Sequence, residues 1–225
     1  MNTVRTGTTL ALLLAALSAA NASEITISTG YSTAGQQATP QAYQSVVEAA
    51  VATATPGYGS TSVEVFDGIS NHKTLSGASR DLAYKFEVDF FVTEDKAGTW
   101  SFRGGVDFGD GGVMMLDGVP LHFSSDDLWW AGSYGNSREY LAGSAQLASG
   151  AHTLVFYGLE NCCDGANIGQ QAQFRIGDGA FTTFSTVDGL TTPIPEPATV
   201  GMLLGGLGML AAVGRWRTRR LEQSA

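Results

Sequence analysis

The sequence predicts an all-β fold: a single β-sandwich or jelly roll with one short N-terminal helix, plus a C-terminal transmembrane helix. Short runs alternate apolar and polar residues, turn residues separate these runs, and the region between the two chain ends is long enough for one compact core. We place this body at residues 23–190 and find no internal repeat or second domain in it.

The clearest strand is predicted at residues 84–90, where aromatic and branched residues alternate with charged ones: Tyr84, Phe86, Val88 and Phe90 against Lys85, Glu87 and Asp89. The next run shows the same period, with one face formed by Trp100, Phe102, Val106 and Phe108. Turn residues at 96–98 lie between the two runs, so we predict a hairpin there. Further strands are predicted at 112–116, 144–148, 152–159, 172–176 and 181–186.

One helix is predicted at residues 40–54. Its apolar residues recur at helical spacing, at Tyr43, Val46, Val47, Ala50 and Val51. Pro40 suits a first helical turn, and Pro56-Gly57 would end the helix. We expect this helix to pack against the sandwich or to lie beside it.

Residues 1–22 are predicted to form a secretory signal peptide that is cleaved after Ala22. Arg5 gives a basic start, residues 10–17 are apolar, and Ala20-Asn21-Ala22 has small residues at both ends. The apolar run is short for a membrane span, and an uncleaved anchor is the alternative.

The C-terminal end combines a proline-rich linker, an apolar segment and a basic tail. The linker, residues 191–197, ends in Pro195-Glu196-Pro197, and residues 198–214 carry no charge. That length is near the lower limit for crossing a ~30 Å hydrocarbon core, so a transmembrane helix is predicted. The tail, residues 215–225, stays cytoplasmic under the positive-inside rule because of its basic residues Arg215, Arg217, Arg219 and Arg220.

These three parts, in this order, resemble the PEP-CTERM sorting signal of Gram-negative bacteria. The resemblance implies recognition by an exosortase, a membrane cysteine protease that removes the helix. The body would then lie in the periplasm, held at the inner membrane, before it reaches the cell surface or extracellular matrix. The resemblance also implies association with exopolysaccharide and biofilm-matrix systems. An ordinary C-terminal membrane anchor is the alternative.

The charge of the body argues against nucleic acid as a partner. Of 12 basic and 21 acidic residues, five basic and two acidic ones lie in the predicted export and tail segments; the remaining 7 and 19 give residues 23–193 a net charge of −12. Such a body does not attract nucleic acid or anionic lipid by electrostatics.

Residues 104–121 are rich in glycine and contain Asp107, Asp110 and Asp117. This composition lets carboxylate and carbonyl oxygens converge on a hard cation, so Asp107 and Asp110 are a candidate Ca²⁺ site. Their spacing differs from that of an EF-hand loop. The alternative is two tight turns, at 109–112 and 117–118, on either side of one strand.

The body also resembles the lectin-like β-sandwich of the protective-antigen and yeast flocculin type over residues 80–176. Asp110, Asp117 and Gly118 match an acidic turn followed by an "L-x-LDG" strand. An "L-x-x-G-x-H-x-L" hairpin is matched by Leu147, Gly150, His152 and Leu154. The resemblance implies sugar binding, and in some members calcium binding.

A loop-like stretch contains the candidate ligand contacts Asp126, Asp127, Trp129 and Trp130. Aromatic faces beside carboxylates suit stacking on sugar rings combined with hydrogen bonds to hydroxyl groups. Adjacent residues of a strand point to opposite faces, however, so in a strand at least one tryptophan would belong to the core.

The chain has two cysteines, Cys162 and Cys163, side by side. Export through an oxidising compartment favours a disulfide, and no third cysteine competes for it. We predict a vicinal disulfide in a rigid turn past the strand at 152–159, as a sugar platform or as a structural clip. With Asp164-Gly165 and the sorting tail, the pair also resembles a group of PEP-CTERM proteins marked by a "CCxG" motif.

No residue pattern supports an enzyme or a cofactor. His72, His122 and His152 are scattered, without the spacing of a zinc site. We therefore expect an exported structural or carbohydrate-binding protein of the cell surface or exopolysaccharide matrix. The alternatives are a calcium-dependent lectin module and a secreted carbohydrate-active enzyme.

Overall fold

The computed structural model describes residues 23–164 and 168–190, which fall in one compact unit, Asn21–Pro193. The predicted signal peptide, sorting linker, transmembrane helix and basic tail lie outside the described residues, as does Gly165. Within the described ranges, none of the helices has the length and apolar character needed to cross a membrane.

The described residues form short strands and two helices. In chain order these are β1 (Glu24–Tyr31), α1 (Pro40–Val51), β2 (Ser60–Ser62), α2 (Asn71–Leu75), β3 (Leu82–Val92), β4 (Gly98–Gly105), β5 (Asp107–Phe108), β6 (Gly112–Leu116), β7 (Val119–Ser124), β8 (Leu128–Trp129), β9 (Tyr140–Leu147), β10 (Gly150–Glu160), β11 (Gln171–Ile176) and β12 (Thr182–Thr183). A 3₁₀ turn, Glu94–Lys96, joins β3 to β4.

Two antiparallel sheets build the sandwich. The larger has the strand order β2-β1-β3-β10-β6-β7, the smaller β12-β11-β4-β9, and β5 pairs with β8 beside them. Phe86 and Phe156 from the larger sheet share one buried core with Trp100 and Phe102 from the smaller. The predicted all-β body is confirmed.

The alternation of buried and more exposed residues along β3 matches the pattern predicted for residues 84–90. Tyr84, Phe86, Val88 and Phe90 are all buried, whereas Asp89 is exposed. β6 has the predicted bounds, and β10 and β11 extend the predicted strands by one or two residues. The sequence reasoning did not identify β1, β2, β7, β8 or α2.

The predicted hairpin between the two aromatic runs is wrong. β3 pairs with β1 on one edge and β10 on the other, so no edge is left for β4. β4 instead lies between β9 and β11 in the other sheet. The 3₁₀ turn carries the chain across, and the indole of Trp100 donates a hydrogen bond to the Lys96 carbonyl, 2.9 Å away.

The predicted helix is confirmed as α1, although it ends at Val51 rather than at residue 54. The Thr39 hydroxyl caps its start by accepting a hydrogen bond from the Ala42 amide at 3.1 Å. Tyr43 and Val47 are fully buried against the outer face of the six-stranded sheet, in a second apolar cluster. Helix α1 therefore covers part of the outer face of the six-stranded sheet.

Glycines inside the strands let aromatic rings lie directly on the backbone. A Cβ atom at Gly158 would lie 2.1 Å from Cδ2 of Phe108, and one at Gly104 would lie 2.3 Å from Cε1 of Phe156. Real atoms do not approach so closely, so any larger residue must displace a core ring.

We expect Gly158→Ala to lower the free energy of unfolding by about 1–3 kcal/mol, because the new methyl group overlaps the Phe108 ring. Urea unfolding followed by fluorescence measures the change. Gly59→Ala is the matched control: no atom lies within 4 Å of the added Cβ, and its effect should stay within about 1 kcal/mol. Equal effects of the two substitutions would contradict the packing argument.

Candidate ligand-binding cleft

A cleft of about 380 Å³ opens at one edge of the sandwich, where β10 ends and the β5–β6 turn begins. Three separate chain segments line it, with the residues Asp107, Gly109, Asp110, Asp127, Trp129, Glu160, Asn161, Cys162 and Cys163. Most of the site candidates from the sequence are thus brought together in one place.

The first segment is β5 with the turn that follows it. The predicted turn is confirmed: the Gly111 amide donates to the Phe108 carbonyl at 2.8 Å, and Gly111 has a φ of 78°, which favours glycine. The Asp110 amide donates to the Leu159 carbonyl at 3.0 Å, and the Tyr43 hydroxyl donates to the Asp110 carbonyl. Strand β10 and helix α1 therefore hold the turn from two sides.

The second segment, at β8, separates the two adjacent tryptophans. Trp129 is 58% exposed and lines the cleft, whereas Trp130 is 6% exposed and its ring lies against Gly105. Of the two, only Trp129 can stack on a ligand. Asp127 lines the cleft, while Asp126 lines a neighbouring cavity that shares Asp127 as a wall.

The third segment contains the cysteines. Cys162 and Cys163 form the predicted vicinal disulfide, just past the end of β10. Cys163 and Asp164 have φ values of 75° and 41°, in the left-handed region that non-glycine residues seldom adopt. The Asn161 side-chain amide donates to the Asp110 carboxylate, which ties this segment to the first one.

Glu160 is the central acid of the cleft, and the sequence reasoning missed it. One of its carboxylate oxygens accepts from the Gly109 amide and the other from the Cys162 amide, each at 2.6 Å. The side chain therefore joins the β5–β6 turn to the cysteine segment. Its only signal in the sequence is an acidic residue at the end of a long apolar strand, next to the cysteines.

Burial raises the pKa of Glu160 to about 7. The two backbone hydrogen bonds oppose this rise, while the nearby Asp107 and Asp127 carboxylates add to it. Burial also raises the pKa of Asp110. The cleft is thus strongly acidic, and its protonation changes near neutral pH.

Asp164 ties the cysteine segment to the interior of the protein. It is 2% exposed; its carboxylate accepts from the Asn71 amide at 2.8 Å and from the His72 amide at 2.5 Å. The Tyr84 hydroxyl also donates to it. Both residues are buried, so the contact lies in the protein interior and fixes the turn to α2 and β3. Burial raises the pKa values of both Asp164 and Tyr84.

The predicted calcium ligands Asp107 and Asp110 both line the cleft. Across residues 23–164 and 168–190, no group of three or more His, Cys, Asp or Glu side chains is placed to hold a metal ion. Calcium binding at this position stays a prediction.

The motif residues Asp117 and His152 meet at the opposite end of β6. Gly112 pairs with Gly158 near the cleft, whereas Leu116 pairs with Leu154 at the far end. There the Asp117 carboxylate lies 2.8 Å from Nδ1 of His152 and accepts from the Thr153 amide at 2.9 Å. These residues stabilise the sheet rather than the cleft.

Comparison with protein families identifies the C-terminal end of the chain. Residues 193–220 match the family model of the PEP-CTERM protein-sorting motif. The chain carries a PEP-CTERM sorting signal. The match includes the predicted motif Pro195-Glu196-Pro197 and the tail arginines, and so confirms that prediction. The comparison with curated protein sequences finds no match.

Several solved structures resemble this chain. A PA14 sugar-binding domain from an RTX adhesin has 14% identity, a TM-score of 0.43, and coverage of 73% of this chain and 96% of its own. An anti-sigma factor domain-containing protein from Clostridium clariflavum has 10% identity, a TM-score of 0.42, and coverage of 83% and 52%. The subtype-switched Epithelial Adhesin 9 to 1 A domain from Candida glabrata, in complex with beta-lactose, has 9% identity, a TM-score of 0.38, and coverage of 76% and 91%.

We expect the stability contributed by Glu160 to fall as the pH rises. Its pKa is about 7 in the folded protein and 4.5 ordinarily, so the folded state binds this proton more tightly than the unfolded chain. The contribution is complete below pH 4.5 and is lost as the pH rises through 7. The unfolding free energy of the wild type relative to Glu160→Gln should fall by ~1–3 kcal/mol across this window.

Urea unfolding at a series of pH values measures this difference. Glu94→Gln, at an exposed position in the 3₁₀ turn, is the matched control and should show no such trend. A pH-independent difference between the wild type and Glu160→Gln would contradict a raised pKa at Glu160.

We expect the exported protein to carry the vicinal disulfide. Its intact mass without reductant should be lower than that of the reduced protein by two hydrogen atoms, and alkylation should label neither cysteine before reduction. Peptide mapping without reductant should give a single linear peptide that contains both cysteines and is two hydrogen atoms lighter than its reduced form, rather than two cross-linked peptides. Two free thiols, or a bond between two chains, would refute the Cys162–Cys163 pairing.

Proposed function

We propose that this chain is an exported carbohydrate-binding protein, delivered by its PEP-CTERM signal to the cell surface or to an exopolysaccharide matrix. The observation that supports this function is the convergence of an exposed indole, several carboxylates and a vicinal disulfide in one cleft. The cleft volume, about 380 Å³, lies in the range of small-ligand sites.

The cleft offers the two kinds of contact that a sugar requires. The exposed face of Trp129 can stack on the apolar face of a pyranose ring. The carboxylates of Asp110 and Asp127 and the amide of Asn161 supply hydrogen-bonding groups for hydroxyls. Because the lining carboxylates are negative, the cleft favours a neutral sugar over an anionic one.

The vicinal disulfide acts in this proposal as a rigid apolar edge of the cleft. Main-chain hydrogen bonds to Glu160 and Asp164 hold the segment on both sides of the cysteines. A preformed edge lowers the entropic cost of ordering the site when a ligand binds.

In this proposal, the two ends of the chain direct the export and sorting of the protein. The predicted signal peptide, residues 1–22, would direct export, and the PEP-CTERM signal implies processing by an exosortase-type enzyme. Before processing, the C-terminal helix would hold the protein at the inner membrane with its body in the periplasm. A glycan of the surface or matrix is the expected partner.

A secreted carbohydrate-active enzyme is the second candidate, because the pKa of Glu160 lies near 7, as a general acid requires, and Asp107 lies nearby. Glu160 is only 5% exposed, however, and both of its oxygens already accept backbone hydrogen bonds. A group held in this way does not reach a glycosidic oxygen, so we favour binding without catalysis.

Glycan-array and exopolysaccharide pulldown assays with the processed body test the proposal. We expect Trp129→Ala to weaken binding of a neutral glycan roughly five- to tenfold, since stacking on an aromatic ring contributes about 1 kcal/mol. Tyr31→Ala is the matched control: Tyr31 is 49% exposed but does not line the cleft, and this variant should bind normally.

The same assay separates the alternatives. Failure of the wild type to retain any glycan would refute carbohydrate binding and favour a passive matrix protein. Retention that is lost with a chelator would favour the calcium-dependent lectin. Release of new reducing ends that stops in Glu160→Gln would favour the enzyme.

A further inference from the structure

The outer face of the four-stranded sheet carries a group of basic and aromatic side chains that the cleft does not use. The guanidinium carbon of Arg103, on β4, lies 3.8 Å from the centre of the Tyr134 ring and 3.9 Å from the centre of the Phe181 ring. The corresponding carbon of Arg175, on β11, lies 4.8 Å from the centre of the same Phe181 ring. We call these four residues the arginine platform.

Within the part of the chain that the structure describes, the two arginines have only neutral partners. Nε and Nη2 of Arg103 donate to Oε1 of Gln173, at 2.8 and 2.5 Å. Nη2 of Arg175 lies 3.4 Å from the Ser101 hydroxyl, and its Nε is buried without a hydrogen bond. Among the described residues, no salt bridge involves either arginine, although the body is rich in carboxylates.

An anion would improve the energetics of this arrangement. Partial burial lowers the pKa of Arg103, and the positive charge of Arg175 lowers it further, although Tyr134 and Tyr140 oppose the shift. Two like charges held close together without a counter-ion repel each other, and a bound anion removes that repulsion. The rings of Tyr134 and Phe181 both contact the Arg103 guanidinium, so little side-chain entropy remains to be lost on binding.

The surroundings of the platform suit a polysaccharide. On the same face, neighbouring strands present hydroxyl and amide side chains in the cross-strand pairs Thr99–Gln146 and Gln173–Thr183. The exposed Ser144 lies there too, hydrogen-bonded to the buried Ser101. The face is formed by strands rather than by a cavity, and the platform residues are partly exposed. An extended chain with many hydroxyls and regularly spaced anions complements such a surface.

We propose that the arginine platform binds the carboxylate groups of a uronate-containing polysaccharide. A guanidinium fork matches a carboxylate through two parallel hydrogen bonds, and Nη1 of each arginine has no hydrogen bond within the described residues. This site differs in position and in charge preference from the cleft, which favours neutral sugars. The inference therefore does not depend on the function proposed for the cleft.

Affinity electrophoresis and calorimetry with polygalacturonate test the platform. We expect the wild type to bind and Arg103→Gln and Arg175→Gln each to weaken binding about tenfold, because a charge-assisted hydrogen bond is lost in each. Binding should also weaken as salt is added. Arg80→Gln, at an exposed position before β3, makes the same charge change away from the platform and should bind like the wild type.

Thermal unfolding checks that each variant is folded. If Arg103→Gln does not fold, Arg175→Gln still tests the proposal, because it leaves the contacts of Arg103 with Tyr134 and Phe181 in place. Trp129→Ala should retain full affinity for polygalacturonate, so failure at the cleft and failure at the platform are distinguishable.

Four results would overturn the proposal. They are no binding of polygalacturonate by the wild type, equal binding by the Arg103→Gln/Arg175→Gln double variant, tighter binding of dextran sulfate than of polygalacturonate, and loss of binding in Trp129→Ala. Self-association that disappears in the double variant, without any glycan binding, would instead assign the face to a second copy of this chain.

Discussion

The close approach of the Phe108 ring to the backbone of β10 is the contact on which the cleft depends. The ring lies on Gly158, is stacked with Tyr84 at 5.7 Å between ring centres, and is tilted against Phe86 at 6.0 Å. This packing fixes β5 at the edge of the sandwich, and β5 in turn places Asp107, the acidic turn and the partner strand with Trp129. A glycine is needed at position 158 because only a residue without a side chain leaves room for the ring.

Buried carboxylates connect main-chain segments around the site. Glu160 joins two turns through their amides, and Asp164 joins the cysteine segment to α2 and β3. Backbone amides partly compensate the desolvation of these acids, yet their pKa values remain raised. The same residues that give the cleft its shape therefore make it sensitive to pH. The acidic composition that argues against a nucleic-acid partner is therefore also part of the architecture.

The sequence predicts those parts of the fold that local patterns determine. The alternation of apolar and charged residues predicted β3, and Asp-Gly and Gly-Gly pairs predicted the two turns on either side of β6. β7 was missed because Pro120 interrupts it at a register shift, as tolerated in a sheet only at an edge or a bulge. Neither the sheet to which β4 belongs nor the role of Glu160 could be predicted, since both depend on distant partners: β11, and the Gly109 amide. Asp107, Asp110, Trp129 and the cysteines were identifiable individually, but their convergence was not.

The position of β10 between β3 and β6 also affects how the protein folds. Gly150 pairs with Val92 and Glu160 with Leu82, so the longest strand pairing joins residues that are far apart in the chain. Such non-local pairing makes folding slow, because the entropic cost of closing a long loop must be met before any stabilising contact forms. The main sheet cannot close until β10 has been synthesised. A chain that folds late stays unfolded for longer, and an unfolded chain is the form that can pass through a narrow membrane channel, as the proposed export would require.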